Sequence, residues 1–296
     1  MQISEQRKGE TLIFFEGLIW AFFPIITVLT YAKIPSLLSL AWSTLVAGAF
    51  FGFVVTYKRK WHELKNLLLW KYVLGIVLFI GLLYYGFFFT GLTKTTAGNA
   101  GLIALFEVFT SFLFFNVLRK DKISWEYKTG ALLMVLGAVV VLLPNFSQIN
   151  IGDLLILAAT FFPPAGNLFQ QKAREFASSE TILFLRSILS APLIFLLGFF
   201  LHIQTPFGNI QSSWLFLLIN GAFIFGLSKL LWLEAIHRIS VTKALALNSV
   251  TPLLTILMAW WILKQSPNIW QVAGTIPLLI GVFLLTDQIR FNQKKI

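Results

Sequence analysis

Five ionisable side chains stand inside long apolar runs of this 296-residue chain: Glu16, Glu107, Arg186, Lys229 and Glu234. A charge placed in hydrocarbon costs about 2.5–3.5 kcal/mol on insertion scales, so such residues face a watery cavity or a partner. Glu107 lies between Phe106 and Val108, and Asn99, Ile103, Glu107 and Thr110 recur at helical spacing, which puts a polar stripe on one helix face. A carboxylate there meets the amine of a small solute, or loads and releases protons, or forms a structural ion pair with Lys229 or Arg186. Lys229, with Trp232 three residues on, is expected to be the counter-ion of Glu107 or of a solute carboxylate. Glu16, one turn before Trp20 and two before Pro24, reads either as a gate at the inner mouth or as an interfacial charge. Arg186, on a presumed outer helix, reads as a cation that snorkels or caps backbone carbonyls. Glu234, close to His237 and Arg238, reads as interfacial.

Uncharged candidates extend the set. Asn248 and Thr251 share a helical face with Ala244 and Thr255. Asn167 follows Pro163-Pro164, where two missing backbone donors predict a break in the helix, either a hinge beside a ligand or a structural kink. Trp20, Tyr84 and Trp232 supply ring faces for a planar or cationic solute, and packing alone would also explain them. The chain has no Cys and three scattered His, with no nucleophile triad, P-loop or dinucleotide fingerprint. The expectation is therefore no catalysis, no metal, no cofactor and no ATP-driven step by this chain alone.

Long helices must hold these residues. Hydrophobic residues make up 57% and charged residues 12% of the chain. Mean hydropathy is +0.81. That is too little charge to cover a water-facing globule, and a bilayer is the alternative solvent. Ten apolar spans are predicted, at 11–31, 36–56, 72–91, 96–117, 124–143, 151–170, 180–201, 213–235, 241–262 and 269–287. The first is too long for a signal-peptide core and reads as a spanning helix. With the N-terminus inside, eighteen Lys and Arg fall in cytoplasmic segments and three outside. That bias predicts both termini cytoplasmic. It also accounts for the net charge of +11 without a nucleic-acid partner.

The two halves repeat. At an offset of 144, Trp70 falls on Trp214, Ala100 on Ala244, Gly130 on Gly274 and Gly137 on Gly281. Phe22-Phe23-Pro24 matches Phe161-Phe162-Pro163 at a slightly different offset. Five spans per half is an odd number, so the halves cross the membrane in opposite senses, and a solute site is expected near the midplane between them. The predicted fold is an all-α membrane protein of two inverted five-helix repeats, 1–143 and 150–288, with a basic cytoplasmic tail at 289–296.

This arrangement resembles the drug/metabolite transporter superfamily, EamA type, over essentially the whole chain. In the first half, the helix over 95–118 precedes a turn with Asp121, then Gly130 and Gly137; in the second, 239–263 contains Pro252 and precedes Gln265, Gly274 and Gly281. This is similar to the family's long helix, short acidic turn and final helix with paired glycines. Gln265 replaces the usual acid, Val108 the mid-helix proline, and Trp42 the second-helix arginine that Arg186 keeps in the other half. The resemblance implies a ten-helix basket with its cavity lined by helices 1, 3, 4, 6, 8 and 9, and with helices 5 and 10 peripheral. It also implies secondary transport across the bacterial plasma membrane, often export, of amino acids or related amphiphilic metabolites. Protons are a candidate coupling ion. Exchange of nucleotide-linked metabolites, movement of organic cations or drugs, and lipid modification by a membrane enzyme are the alternatives.

Overall fold

Among the described residues there are ten apolar helices: α1 (Glu5–Tyr31), α2 (Ser36–Tyr57), α3 (Leu67–Leu92), α4 (Ala97–Phe115), α5 (Trp125–Leu142), α6 (Ile151–Ala173), α7 (Ser179–Phe200), α8 (Phe207–Ile236), α9 (Val241–Leu263) and α10 (Ile269–Leu285). The first nine are long and apolar enough to cross a bilayer, and α10 is a shorter apolar helix. The structure is a computed structural model and describes residues 4–117, 125–142 and 150–285, among which there is no strand. Asp121 and the basic tail 289–296 lie outside the described residues.

Several helices begin before the apolar run that predicts them. The third span, expected from residue 72, starts at Leu67, and the eighth, expected from 213, starts at Phe207. The apolar run sets the span, whereas polar caps set the helix ends. Asn66 caps Leu68 N, and Ser4, Thr96, Asn150 and Ser240 play the same part for α1, α4, α6 and α9.

α5 packs antiparallel on α10 through the paired glycines. A methyl group at Gly137 would stand 3.0 Å from the Gly274 carbonyl oxygen, and one at Gly281 would stand 2.8 Å from the Gly130 carbonyl oxygen. Small residues permit this backbone approach, which drives helix association where lipid offers no hydrophobic force. α2 packs on α7 in the same manner, with Gly48 against Ser187. These four helices are continuous, although Pro192 and Pro277 lie inside α7 and α10.

The other six are interrupted. α1 breaks after Trp20 and resumes at Phe23; α6 breaks after Ala159 and resumes at Pro163. α3 is π-helical over Val77–Tyr84 and α8 over Ile219–Ser228. α4 breaks at Leu105, and α9 tightens to a 3₁₀ turn at Asn248–Val250. The same irregularity thus occurs at equivalent places in both halves. The two breaks at α1 and α6 are repaired alike: Thr255 Oγ1 donates to the Ala21 carbonyl at 3.0 Å, and Thr110 Oγ1 to the Thr160 carbonyl at 2.6 Å. In hydrocarbon a freed carbonyl must find such a partner.

Candidate functional site

The six interruptions converge on a cavity of two adjoining chambers, each of about 70 Å³. Trp20, Tyr84, Glu107, Leu245 and Asn248 border both. Glu16, Asn167, Gln170, Arg186, Lys229 and Trp232 make the first polar. Phe23, Pro24, Phe88, Leu105, Val108 and Pro252 make the second apolar, with Thr251 and Thr255 as its hydroxyls.

Glu16 is fully buried, 0% exposed. Its Oε1 accepts from Ser228 Oγ and from Lys229 Nζ, both at 3.0 Å, and its Oε2 accepts from Asn248 Nδ2 at 2.9 Å. Asn248 Oδ1 in turn accepts from Thr251 Oγ1 at 2.5 Å. The Lys229 ammonium sits 3.2 Å from the Trp20 ring centroid, within cation–π range. Gly17 makes this possible, because a methyl group there would meet Asn248 Oδ1 and would come within 2.7 Å of Thr251 Oγ1. Lys229 therefore pairs with Glu16, whereas the sequence suggests Glu107 as its partner within the protein. Spacing along α4 and α8 gives no information on which helix crosses between them, and α1 occupies that place.

Glu107 takes a different position. Trp232 Nε1 donates to Asn167 Oδ1 at 3.2 Å, and Asn167 Nδ2 reaches Glu107 Oε1 at 3.4 Å. Among the described residues no cation lies within ion-pair distance of the Glu107 carboxylate. Pro163 lines the polar chamber and, with Pro164, opens the second segment of α6, which carries Asn167 inward.

Arg186 departs from expectation. It does not snorkel: it is 2% exposed, lines the polar chamber, lies 5.9 Å from the Tyr85 ring centroid and leaves Nη1 without a hydrogen-bond partner. Sequence reasoning set it aside on the assumption that α7 is an outer helix. A signal is present in the sequence, since Arg186 and Ser190 share a face in the mostly apolar middle of α7.

Asn99 lies away from the cavity. Its Oδ1 accepts from Gln271 Nε2 at 2.7 Å, and its Nδ2 reaches Asp153 Oδ2 at 3.5 Å. Thr95 also bonds Asp153, and Gln265 Oε1 accepts from Ala97 N at 3.1 Å. These contacts close the end of the bundle opposite the N-terminus with amides and one acid. The N-terminal end is closed by ion pairs: Glu10–Lys243 at 2.5 Å, Glu5–Arg238 at 3.1 Å, and Glu234 with Arg238 at 2.5 Å and Arg174 at 3.2 Å. Glu180 joins Lys58 and Lys60 there. Beside them, Glu63 accepts from Ser178 N at 2.9 Å and Ser178 Oγ at 2.7 Å. Burial pushes the Glu63 carboxyl up, but these bonds and one from Thr181 outweigh it and hold the group below the usual carboxylate range.

The model of the EamA-like transporter family matches residues 7–143 and again 150–287. The chain belongs to the EamA-like transporter family. It is an integral, multi-pass membrane protein, with the bilayer as its surroundings. Two curated relatives are named uncharacterized transporters. One, from Synechocystis sp., is 24% identical over 211 residues. The other, from Methanothermobacter thermautotrophicus, is 29% identical over 209 residues. Each match covers 67% of this chain, and spans 60% and 59% of the relative's length, respectively. A solved structure titled "Crystal structure of protein" superposes with a TM-score of 0.70, covering 97% of this EamA chain and 100% of that one at 19% identity. That likeness concerns the fold.

Proposed function

We propose that this EamA-family chain is a secondary transporter that carries a small amphiphilic metabolite of the amino-acid type outward across a bacterial plasma membrane by alternating access. The carrying observation is the paired chamber at the meeting of six interrupted helices. A charged head suits the polar chamber, and an apolar body suits the walls of Phe23, Phe88 and Val108. The chamber volumes are small beside the roughly 300–1,000 Å³ of pockets for drug-sized ligands, which favours a metabolite over nucleotide-linked cargo. Glu107, Asn167, Asn248, Thr251, Trp20, Tyr84 and Trp232 hold the solute, and Lys229 orders the wall through Glu16. Pro163 and Pro164 supply the bend, and Glu107 is the candidate proton carrier. The halves 1–143 and 150–288 rock about the site with both termini cytoplasmic, as the Lys and Arg bias requires.

Comparing metabolites of cells with and without the protein identifies the cargo. In proteoliposomes a pH jump then shifts uptake of that cargo by the wild type and not by Glu107→Gln. A variant with unaltered pH dependence removes Glu107 from coupling, and an absence of any cargo flux removes the transport reading.

A further inference from the structure

The polar chamber holds two carboxylates, Glu16 and Glu107, and two cations, Lys229 and Arg186. Glu16 and Lys229 satisfy one another at 3.0 Å. Among the described residues, Arg186 has no carboxylate within ion-pair distance. A carboxylic acid can shed its charge by binding a proton, but a guanidinium remains charged in proteins. A buried cation without a partner anion is costly, and the ring of Tyr85 offers only part of what an anion would. The unmet demand is also local. Arg186 Nη1, Gln170 Oε1, Ser187 Oγ and Ser190 Oγ are all buried without a hydrogen-bond partner. Arg186, Ser187 and Ser190 belong to α7, and Gln170 and Arg186 line the same chamber. Ser187 faces Gly48 of α2 and Ser190 faces Gly81 of α3, whereas Arg186 Nη1 and Gln170 Oε1 share the chamber. Buried polar groups in folded proteins are rarely left unpaired, so an unmet donor and an unmet acceptor on one chamber mark a place for a ligand.

The geometry points to Arg186 as the docking point for a carboxylate of the cargo, with Glu107 and Gln170 Oε1 left to receive its ammonium or hydroxyl groups. This assignment rests on the transport reading of the same cavity and adds the residue that selects for a negative charge. Arg186 enters from α7, outside the six helices that were expected to line the site, and guanidinium is the side chain best suited to a planar carboxylate.

The test uses purified protein in nanodiscs, titrated with leucine, isocaproate, isopentylamine and isopentanol, and read by tryptophan fluorescence, since Trp20 and Trp232 line the chamber. In Arg186→Gln, leucine and isocaproate are expected to bind at least roughly tenfold more weakly, as for loss of a charge-assisted bond. Isopentylamine binding stays within about twofold, and Arg186→Lys recovers part of the loss. Equal carboxylate binding in Arg186→Gln, or failure of both carboxylates to bind the wild type at millimolar concentration, overturns the assignment. Should Arg186→Gln not fold, iodide quenching of the wild type decides: isocaproate relieves it and isopentanol does not, whereas no relief by isocaproate counts against Arg186. Binding that depends on Arg186 without any cargo flux defeats the transport reading alone. Flux that is indifferent to Arg186 defeats the anion site alone.

Discussion

Among the described residues four helices run unbroken and six do not, and the two groups solve opposite problems. α2, α5, α7 and α10 meet in two pairs, backbone against backbone, with glycine or serine at the contact. Larger side chains meet only beside these points, as Trp42 of α2 does with Phe195 of α7. α1, α3, α4, α6, α8 and α9 each lose regular hydrogen bonding near mid-length, and their contacts around the cavity are long polar side chains, prolines and rings. Rigidity comes from leaving side chains out, and a binding chamber comes from letting the backbone depart from the helix. Arg186 is the exception that joins the groups, a cavity residue on a continuous helix.

Substitutions can break or sharpen this contrast. The largest effect is expected in the interrupted group. Glu16→Ala strands the Lys229 ammonium and should cost about 3–5 kcal/mol, read as a loss of melting temperature in detergent. Glu16→Gln with Lys229→Met should recover much of it, and strict additivity would mean that the pair is not coupled. In the continuous group, Gly137→Leu forces a side chain against the Gly274 carbonyl and should cost about 1–3 kcal/mol or more by overpacking. An unchanged melt would show that α5 and α10 are not in close register. Smaller again, Thr110→Val and Thr255→Val each leave a carbonyl at a helix break without its donor. About 0.6 kcal/mol is expected for each, as for hydrogen bonds within membranes, with transport falling more than stability does. Equal losses from Thr90→Val, whose position is far from any break, would remove the distinction.

The smallest effect lies at the charged end. The Glu63 carboxyl is held below its ordinary value by Ser178 and Thr181, so its contribution is present above the unfolded carboxylate range and fades as pH falls through its lowered value. Glu63→Gln should therefore lower stability modestly in the neutral range and flatten the acid limb of a stability–pH curve, the two proteins converging at low pH. A steeper acid limb in the variant would reverse that account.

Much of the architecture was legible in the residues. Apolar length, the Lys and Arg bias and the 144-residue offset predict ten helices in two repeats, and the paired glycines lie where the halves interlock. Pro163-Pro164 marks a real break. The site was legible only in part. Glu107, Trp20, Tyr84, Asn167, Asn248, Thr251, Lys229 and Trp232 meet at the cavity, while Asn99 closes one end of the bundle. Lys229's partner and Arg186's burial were hidden, because both depend on which helices cross, and periodicity along one helix carries no record of its neighbours. The π-helical stretches have no proline to announce them. Their glycines mark close approaches instead: Gly81 faces Ser190, and a methyl group at Gly221 would stand 2.7 Å from the Ser43 carbonyl oxygen.

The two threonine repairs have a mechanical consequence. Thr110 belongs to the first half and holds the kink of α6 in the second; Thr255 belongs to the second and holds the kink of α1 in the first. Neither half can straighten or sharpen its own bend without tugging on the other. Under the alternating access proposed above, such crosswise straps would tie movement at one mouth to movement at the other and guard against an open pore.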